Sequence, residues 1–285
     1  MEFKRNLKRY MIGEDVMAVK LRLLDLGYLA LVTHNVFGND THKAVKAFQA
    51  GSGLQVDGIV GQLTWAALMA AEPVEAPVLP WYIGDEKAVR IGADLAGVSE
   101  TRRMICLKAL EYAIDPDQPG GSMRCFYVRG GNLFDQDLTL HKMTEARLQK
   151  YFKNTAYKPY YDGGRQQLMQ DMAAASGYKL PGCDCSGMIV GLWRYAKVKS
   201  TGFDANANSL YSSFCTRTDN LVPGDLCWKS GHIGLYVGGS CVVESIGGAY
   251  GVQLTDLKKR RAFNYQDRKL HTFDKWTGYG DPKVY

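Results

Sequence analysis

The chain lacks the marks of several broad protein classes. No run of ~18 or more uninterrupted apolar residues occurs, so the usual pattern of a membrane-spanning helix is missing. The basic start, Met1 to Tyr10, leads into no clean apolar stretch or small-residue cleavage site. Arg22 and Asp25 interrupt the nearest candidate, so no Sec signal is expected. There is no Walker loop and no dinucleotide fingerprint. Cysteine is sparse and uneven: seven residues, none in the first hundred, and no Cys-x-x-Cys pair. That argues against a disulfide scaffold and a ribbon-type zinc site, and an odd count leaves at least one thiol free in a monomer.

What is present is enough to fold. At 285 residues the length suggests about two domains of ~150 residues each. With 46% hydrophobic and 22% charged residues, disorder is excluded. The net charge of +6 is concentrated in residues 96–285, which hold 25 Lys+Arg against 18 Asp+Glu. Such an excess suits an anionic partner, and on charge alone both nucleic acid and the bacterial wall qualify.

An internal echo organises the first seventy residues. Phe37 to Val45 resembles Val60 to Leu68, each copy with a glycine (Gly38, Gly61) followed three residues later by a threonine (Thr41, Thr64). The glycine is expected to close a turn and the threonine to cap a short helix. Upstream, Val16, Val19, Leu23 and Leu26 form an apolar helix stripe that Gly27 is expected to end. The spacing predicts a small three-helix module over 1–72. Three prolines within 73–80 then favour extended, stiff chain, and a linker is expected over 73–95. Beyond it, a helix is expected over Thr101–Ile114 and a glycine-rich turn over Tyr127–Asn132. Residues 133–180 give mixed signals and no placed elements. From Gly182 onward a helix and then short strands separated by glycine are expected.

Two residues stand out chemically. Cys185 falls at the start of a helix whose face carries Met188, Ile189, Leu192 and Trp193. Unpaired N–H groups and the helix dipole there favour a thiolate, the form that acts as a nucleophile. A base is offered by His232 in the alternating run Gly231–Gly238, where His232, Gly234 and Tyr236 share one face. A three-residue loop over 238–240 is expected to join this strand to Cys241–Ser245, so that 237 pairs with 241 and 234 with 244. Glu244 then reaches His232 across Gly234 and orients the imidazole. A two-residue loop would pair 235 with 244 and send Glu244 to the other face. Singly, a buried cysteine or a lone histidine is usually structural; together the three form a nucleophile–base–orienter set.

Asp184-Cys185-Ser186-Gly187, Pro223-Gly224-Asp225-Leu226 and Gly231 to Gly238 resemble the NlpC-type papain-like cell-wall peptidases. That resemblance implies hydrolysis of an amide bond in peptidoglycan stem peptides, typically between D-γ-glutamyl and a diamino acid. It implies Cys185 as nucleophile and His232 as base. Glu244 stands where that family commonly has a third polar residue, often His. Tyr127 matches a family tyrosine beside the substrate amine, a role Asp184 and Ser186 are expected to share. The front module is similar to the three-helix peptidoglycan-binding domain, through Asp15-Val16, Gly27-Tyr28, Phe48-Gln49 and Leu54 to Trp65; Lys20 stands where that family usually has Gln.

The expected architecture is thus α+β, a papain-like domain over 96–285 with a helix packed on a small antiparallel sheet, preceded by the helical binding domain. The expected partner is bacterial peptidoglycan, not nucleic acid, with no cofactor and no metal. A phage or prophage lysin made in the cytoplasm and released to the wall fits the missing signal and the unpaired cysteines. The rival expectations are an amidase cutting between sugar and peptide, another amide acyltransferase of the same fold, and a non-catalytic wall-binding protein. Lys258-Lys259-Arg260-Arg261 reads as a solvated face or an attachment to anionic wall polymer. His34, His42, His141 and His271 show no recognisable partners in sequence.

Overall fold

The computed structural model describes residues 2–26, 28–29, 32, 34–71, 79–118 and 121–285. The front module is built from α1 (Glu14–Asp25), α2 (Asn39–Gly51) and α3 (Gln62–Ala70). Val16, Val19, Leu23 and Leu26 are buried against Ala44, Val45, Phe48, Trp65 and Leu68, so the stripe read from periodicity is the seam of this core. The threonines do not cap. Both helices start directly after an extended glycine, Gly38 and Gly61, which makes Thr41 and Thr64 residues of the first turn with buried side chains. Gly27 and the proline-rich run over 72–78 lie outside the described residues.

The expected linker 73–95 is corrected in its second half. Residues Asp85–Ala96 form helix α4, whose Ile91 and Leu95 are buried in the core of the larger domain. Spacing of four puts those two side chains on one face, and their burial outweighs the polarity of the segment's start. The carboxylate of Asp94 accepts from the N–H of Gly239 at 2.7 Å, which fastens α4 to a turn of the sheet. Helix α5 (Glu100–Leu110) starts one residue earlier than expected, capped by Ser99, and ends four residues short of Ile114. Ile114 instead forms a parallel bridge with Gln253.

Short strand β1 (Phe126–Tyr127) leads into the segment that sequence left unplaced. It holds α6 (Glu145–Lys153), α7 (Lys158–Tyr161) and α8 (Arg165–Ala175), around a cluster that includes Met143, Leu148, Tyr151, Tyr161 and Met169. Strand β2 (Gly182–Cys183) pairs parallel with β1 and runs directly into α9 (Cys185–Tyr195). After α10 (Ala207–Phe214) come β3 (Cys215–Arg217), β4 (Leu226–Lys229), β5 (His232–Gly238), β6 (Cys241–Ser245), β7 (Val252–Asp256), β8 (Arg261–Phe263), β9 (Leu270–Thr272) and β10 (Gly278–Pro282). Six of these form an antiparallel sheet in the order β3-β10-β4-β5-β6-β7, with β8 and β9 a separate hairpin. Helix α9 lies against this sheet, its Ile189, Leu192 and Trp193 packed in one core with Ile233, Leu235 and Val243. The larger domain is therefore α+β.

Candidate active site

Helix α9 begins at Cys185 because Asp184 caps it. Asp184 Oδ1 accepts from the Gly187 N–H at 2.8 Å, while Oδ2 accepts from the Gly130 N–H at 2.8 Å. The Ser186 hydroxyl donates to the same Oδ1 at 2.8 Å. Both carboxylate oxygens thus hold the helix start and the 129–131 turn together. Gly187 is required here: a Cβ would lie 1.9 Å from the carbonyl oxygen of Gly131. Cys185 is 6% exposed, and its sulfur lies 4.0 Å from the Gly231 carbonyl.

Opposite it, β5 opens with His232. The preceding turn is set by Asn208, whose Oδ1 accepts from the Gly231 N–H at 2.9 Å and from Trp228 Nε1 at 3.0 Å. The strand register is the one that puts Glu244 on the side of His232, with Leu235 opposite Val243 and Tyr236 opposite Val242. The turn that sets it differs from the expected three-residue loop. Gly238 pairs with Cys241, so Gly239 and Ser240 alone form the turn, both with positive φ near 58°. An irregularity between Tyr236 and Gly238 restores the register that a plain two-residue loop would have shifted. Gly234 leaves the gap the pair needs, since a Cβ there would lie 3.2 Å from the Cβ of Glu244 and 2.7 Å from Val242 Cγ1.

His232 Nε2 and Glu244 Oε2 are 2.7 Å apart. Glu244 is fully buried and held from three further directions. Arg260 Nε donates to Oε1 at 2.9 Å, its Nη2 donates to Oε2 at 2.5 Å, and the Thr255 hydroxyl donates to Oε1 at 2.5 Å. Burial alone would raise the carboxyl's pKa, yet hydrogen bonds and charge from His232 and Arg260 outweigh it and lower the value to about 2. Burial likewise disfavours the imidazolium, but hydrogen bonds with Cys185 and Glu244 and their charges raise His232 to about 9. Trp276 stacks on the imidazole at 5.5 Å and lies under the Arg260 guanidinium at 4.2 Å.

The structure therefore brings Cys185, His232 and Glu244 together. Tyr127 also lies here: it pairs in register with Cys183 and stacks on Tyr160 at 5.7 Å. Burial, with the nearby Cys185 and Asp184, pushes its hydroxyl pKa well up. Sequence reasoning missed Arg260. It sits in a run of four basic residues that reads as solvated, yet it is 3% exposed and clamps Glu244. Trp276 and Asn208 were missed too; nothing in their local sequence marks them. Two of the histidines without visible sequence partners have carboxylate partners: His141 with Asp135 at 2.6 Å and His271 with Asp267 at 2.8 Å. His42 Nδ1 lies 3.1 Å from the Gly58 carbonyl, and His34 Nδ1 is 3.4 Å from the ammonium of Lys20.

Comparison with known proteins gives a family for the front module. Residues 12–68 match the peptidoglycan binding domain family. The chain is 35% identical over 86 residues to the N-acetylmuramoyl-L-alanine amidase CwlM of Mycobacterium tuberculosis, which covers 30% of this chain and 21% of that protein. It is 44% identical over 57 residues to an uncharacterized protein in the bpoA1 3' region of Kitasatospora aureofaciens, covering 20% of this chain and 48% of that one. The chain thus spans less than half the length of either curated relative. Among solved structures, the Burkholderia AP3 phage endolysin is similar at 21% identity and a TM-score of 0.22, over 61% of this chain and 63% of that chain. Among the described residues no helix is long and apolar enough to cross a membrane.

Proposed function

We propose that the chain is a peptidoglycan hydrolase of the NlpC-type, papain-like class, in which a wall-binding module over residues 1–72 serves a cysteine peptidase domain. The bond we assign to it is the stem-peptide amide between D-γ-glutamyl and a diamino acid. The observation that carries this reading is the imidazole of His232, bonded to a buried, clamped carboxylate and one residue from Gly231, whose carbonyl lies 4.0 Å from the sulfur of Cys185.

In this mechanism the sulfur of Cys185 attacks the carbonyl carbon, and the N–H groups of Cys185 and Ser186 stabilise the oxyanion. Their position in the first turn leaves them without partners inside the helix. The imidazolium gives its proton to the departing amine as the C–N bond breaks. A water then loses a proton to the imidazole, attacks the thioester and releases the acid and the thiolate. Glu244 keeps the ring's tautomer and favours its charged form, and Arg260 keeps Glu244 ionised. The seven free cysteines fit synthesis in a reducing compartment and use as a lysin. The wall-binding module raises the local concentration of substrate, to roughly millimolar for a short tether.

Digestion of purified peptidoglycan with mass analysis of the products tests this reading. New amines on the diamino acid support it. New ends at the sugar–peptide amide would make the chain an amidase, as the similar mycobacterial protein is named.

A further inference from the structure

The turn beside the thiol is shared by two hollows. One, of about 230 Å³, extends from Gly130 over Asp184 and Ser186 to Asn206. The other, of about 660 Å³, runs from Gly130 and Gly131 along α6. They meet at Gly130, whose N–H is bonded to the Asp184 carboxylate at the start of α9. The larger hollow carries Arg129 from the turn and Lys150 and Lys153 from α6, with Tyr151 and Tyr157 also lining it. No aspartate or glutamate lines it among the described residues.

Those three cations are exposed, and none makes an ion pair among the described residues. By contrast Arg147, on the same helix, is tied to Asp135 at 2.9 Å. Two lysines in the last turn of α6 complement that helix's dipole, which accounts for their place on α6. It does not account for Arg129, which reaches the same hollow from a different element and lies over the ring of Tyr160, itself stacked on Tyr127. Three cations without ion pairs among the described residues line a hollow that reaches, through Gly130, the Asp184 cap next to Cys185, and they suit an anionic part of a substrate held at that thiol.

Resting on the hydrolase reading above, we propose that this groove along α6 seats the carboxylate-bearing portion of the substrate peptide and so selects free-acid stem peptides over amidated ones. Tyr151 and Tyr157 supply contact for the aliphatic parts between carboxylates. The cations are solvent-facing, so the attraction is long-range and weakens with salt.

The test uses the full chain carrying Cys185→Ala and two fluorescein-labelled stem tetrapeptides, one with free carboxylates and one with carboxamides, read by anisotropy. The free-acid peptide is expected to bind ~10-fold more tightly at low salt, with the gap narrowing as salt rises. Arg129→Gln with Lys150→Gln and Lys153→Gln is expected to close the gap while the chain stays folded, its melting temperature falling by no more than a few degrees from the lost dipole pairing at the end of α6. Equal binding of the two peptides, or a preference that survives in the triple variant, would overturn the proposal. So would displacement of the bound free-acid peptide from the groove by polyglycerol phosphate but not by unlabelled free-acid peptide. A groove that keeps its preference in a chain whose Cys185 form cuts no wall defeats the hydrolase reading alone. A chain that cuts wall while showing no preference defeats the groove alone.

Discussion

The two folded regions use their most distinctive residues in opposite ways. In the front module the motif residues hold the fold. Gln49 donates to Asp57, to the Ile59 carbonyl and to the Thr64 hydroxyl, and accepts from the Gly58 N–H. Gly58 has a φ of +74°, and any Cβ there would strike His42 at 2.1 Å. Lys20 is buried, its ammonium donating to the carbonyls of His34 and Val36. In the larger domain the distinctive residues gather around His232 and Glu244, near the sulfur of Cys185, instead. A specific sequence motif can therefore record a hydrogen-bond knot as readily as a site, and only geometry separates the two.

Substitutions that split the regions make this contrast breakable. Cys185→Ala is expected to lower release of peptide fragments by on the order of 10³-fold or more, with the fraction of protein retained on purified wall unchanged. A loss of wall retention would mean that the thiol region, and not the front module, carries binding. Glu244→Gln comes next, with a drop in turnover of on the order of 10²–10⁴-fold. It also leaves Arg260 buried without its anion, at a cost of ~3–5 kcal/mol in chemical denaturation.

The same variant sharpens the pH dependence. His232 titrates at about 9 in the folded chain, above the ordinary 6.5, so its pairing stabilises the fold fully below about 6.5 and is lost as pH rises through about 9. Turnover should fall over the same alkaline range, because the leaving amine then finds no acid. In Glu244→Gln that alkaline limb should move to lower pH; an unmoved limb would separate Glu244 from the imidazole. Glu244 works in the opposite sense: its contribution is full above about 4.5, the ordinary carboxyl value, and is lost as pH falls from there through about 2.

Smaller effects complete the comparison. Gly234→Ala is expected to cost ~1–3 kcal/mol through the crowding of Val242 and Glu244, and to lower turnover more than it lowers the melting temperature. Gln49→Ala should cost ~1–3 kcal/mol in the front module by stranding the buried Gly58 N–H, while cleavage of soluble stem peptides stays at its original rate. If Gln49→Ala slowed that cleavage, the two regions would not be functionally separable.

Much of this was legible from residues alone, because periodicity and strand alternation are local. The α1 stripe, the start of α9 and the face shared by His232 and Glu244 followed from spacing. The turn between β5 and β6 did not: a bulge and a two-residue turn give the same strand register as a three-residue loop, and sequence cannot count which residue is left unpaired. Helix α4 was hidden by the prolines before it, whose local stiffness says nothing about residues 85–96. Arg260 was hidden by its neighbours, since a charge run is solvated on average and only the tertiary partner, Glu244, reveals the exception. The 133–180 segment stayed unread because its short helices draw their stability from packing on Tyr151, Tyr161 and Met169 and not from amphipathic length.

Incubating purified peptidoglycan with the unmodified chain and with Cys185→Ala, and weighing the released fragments, decides whether this thiol cuts the wall. Cleavage by the Cys185 thiol would release fragments ending in a new amine on the diamino acid, absent when the thiol is removed. Equal release by both proteins would contradict it.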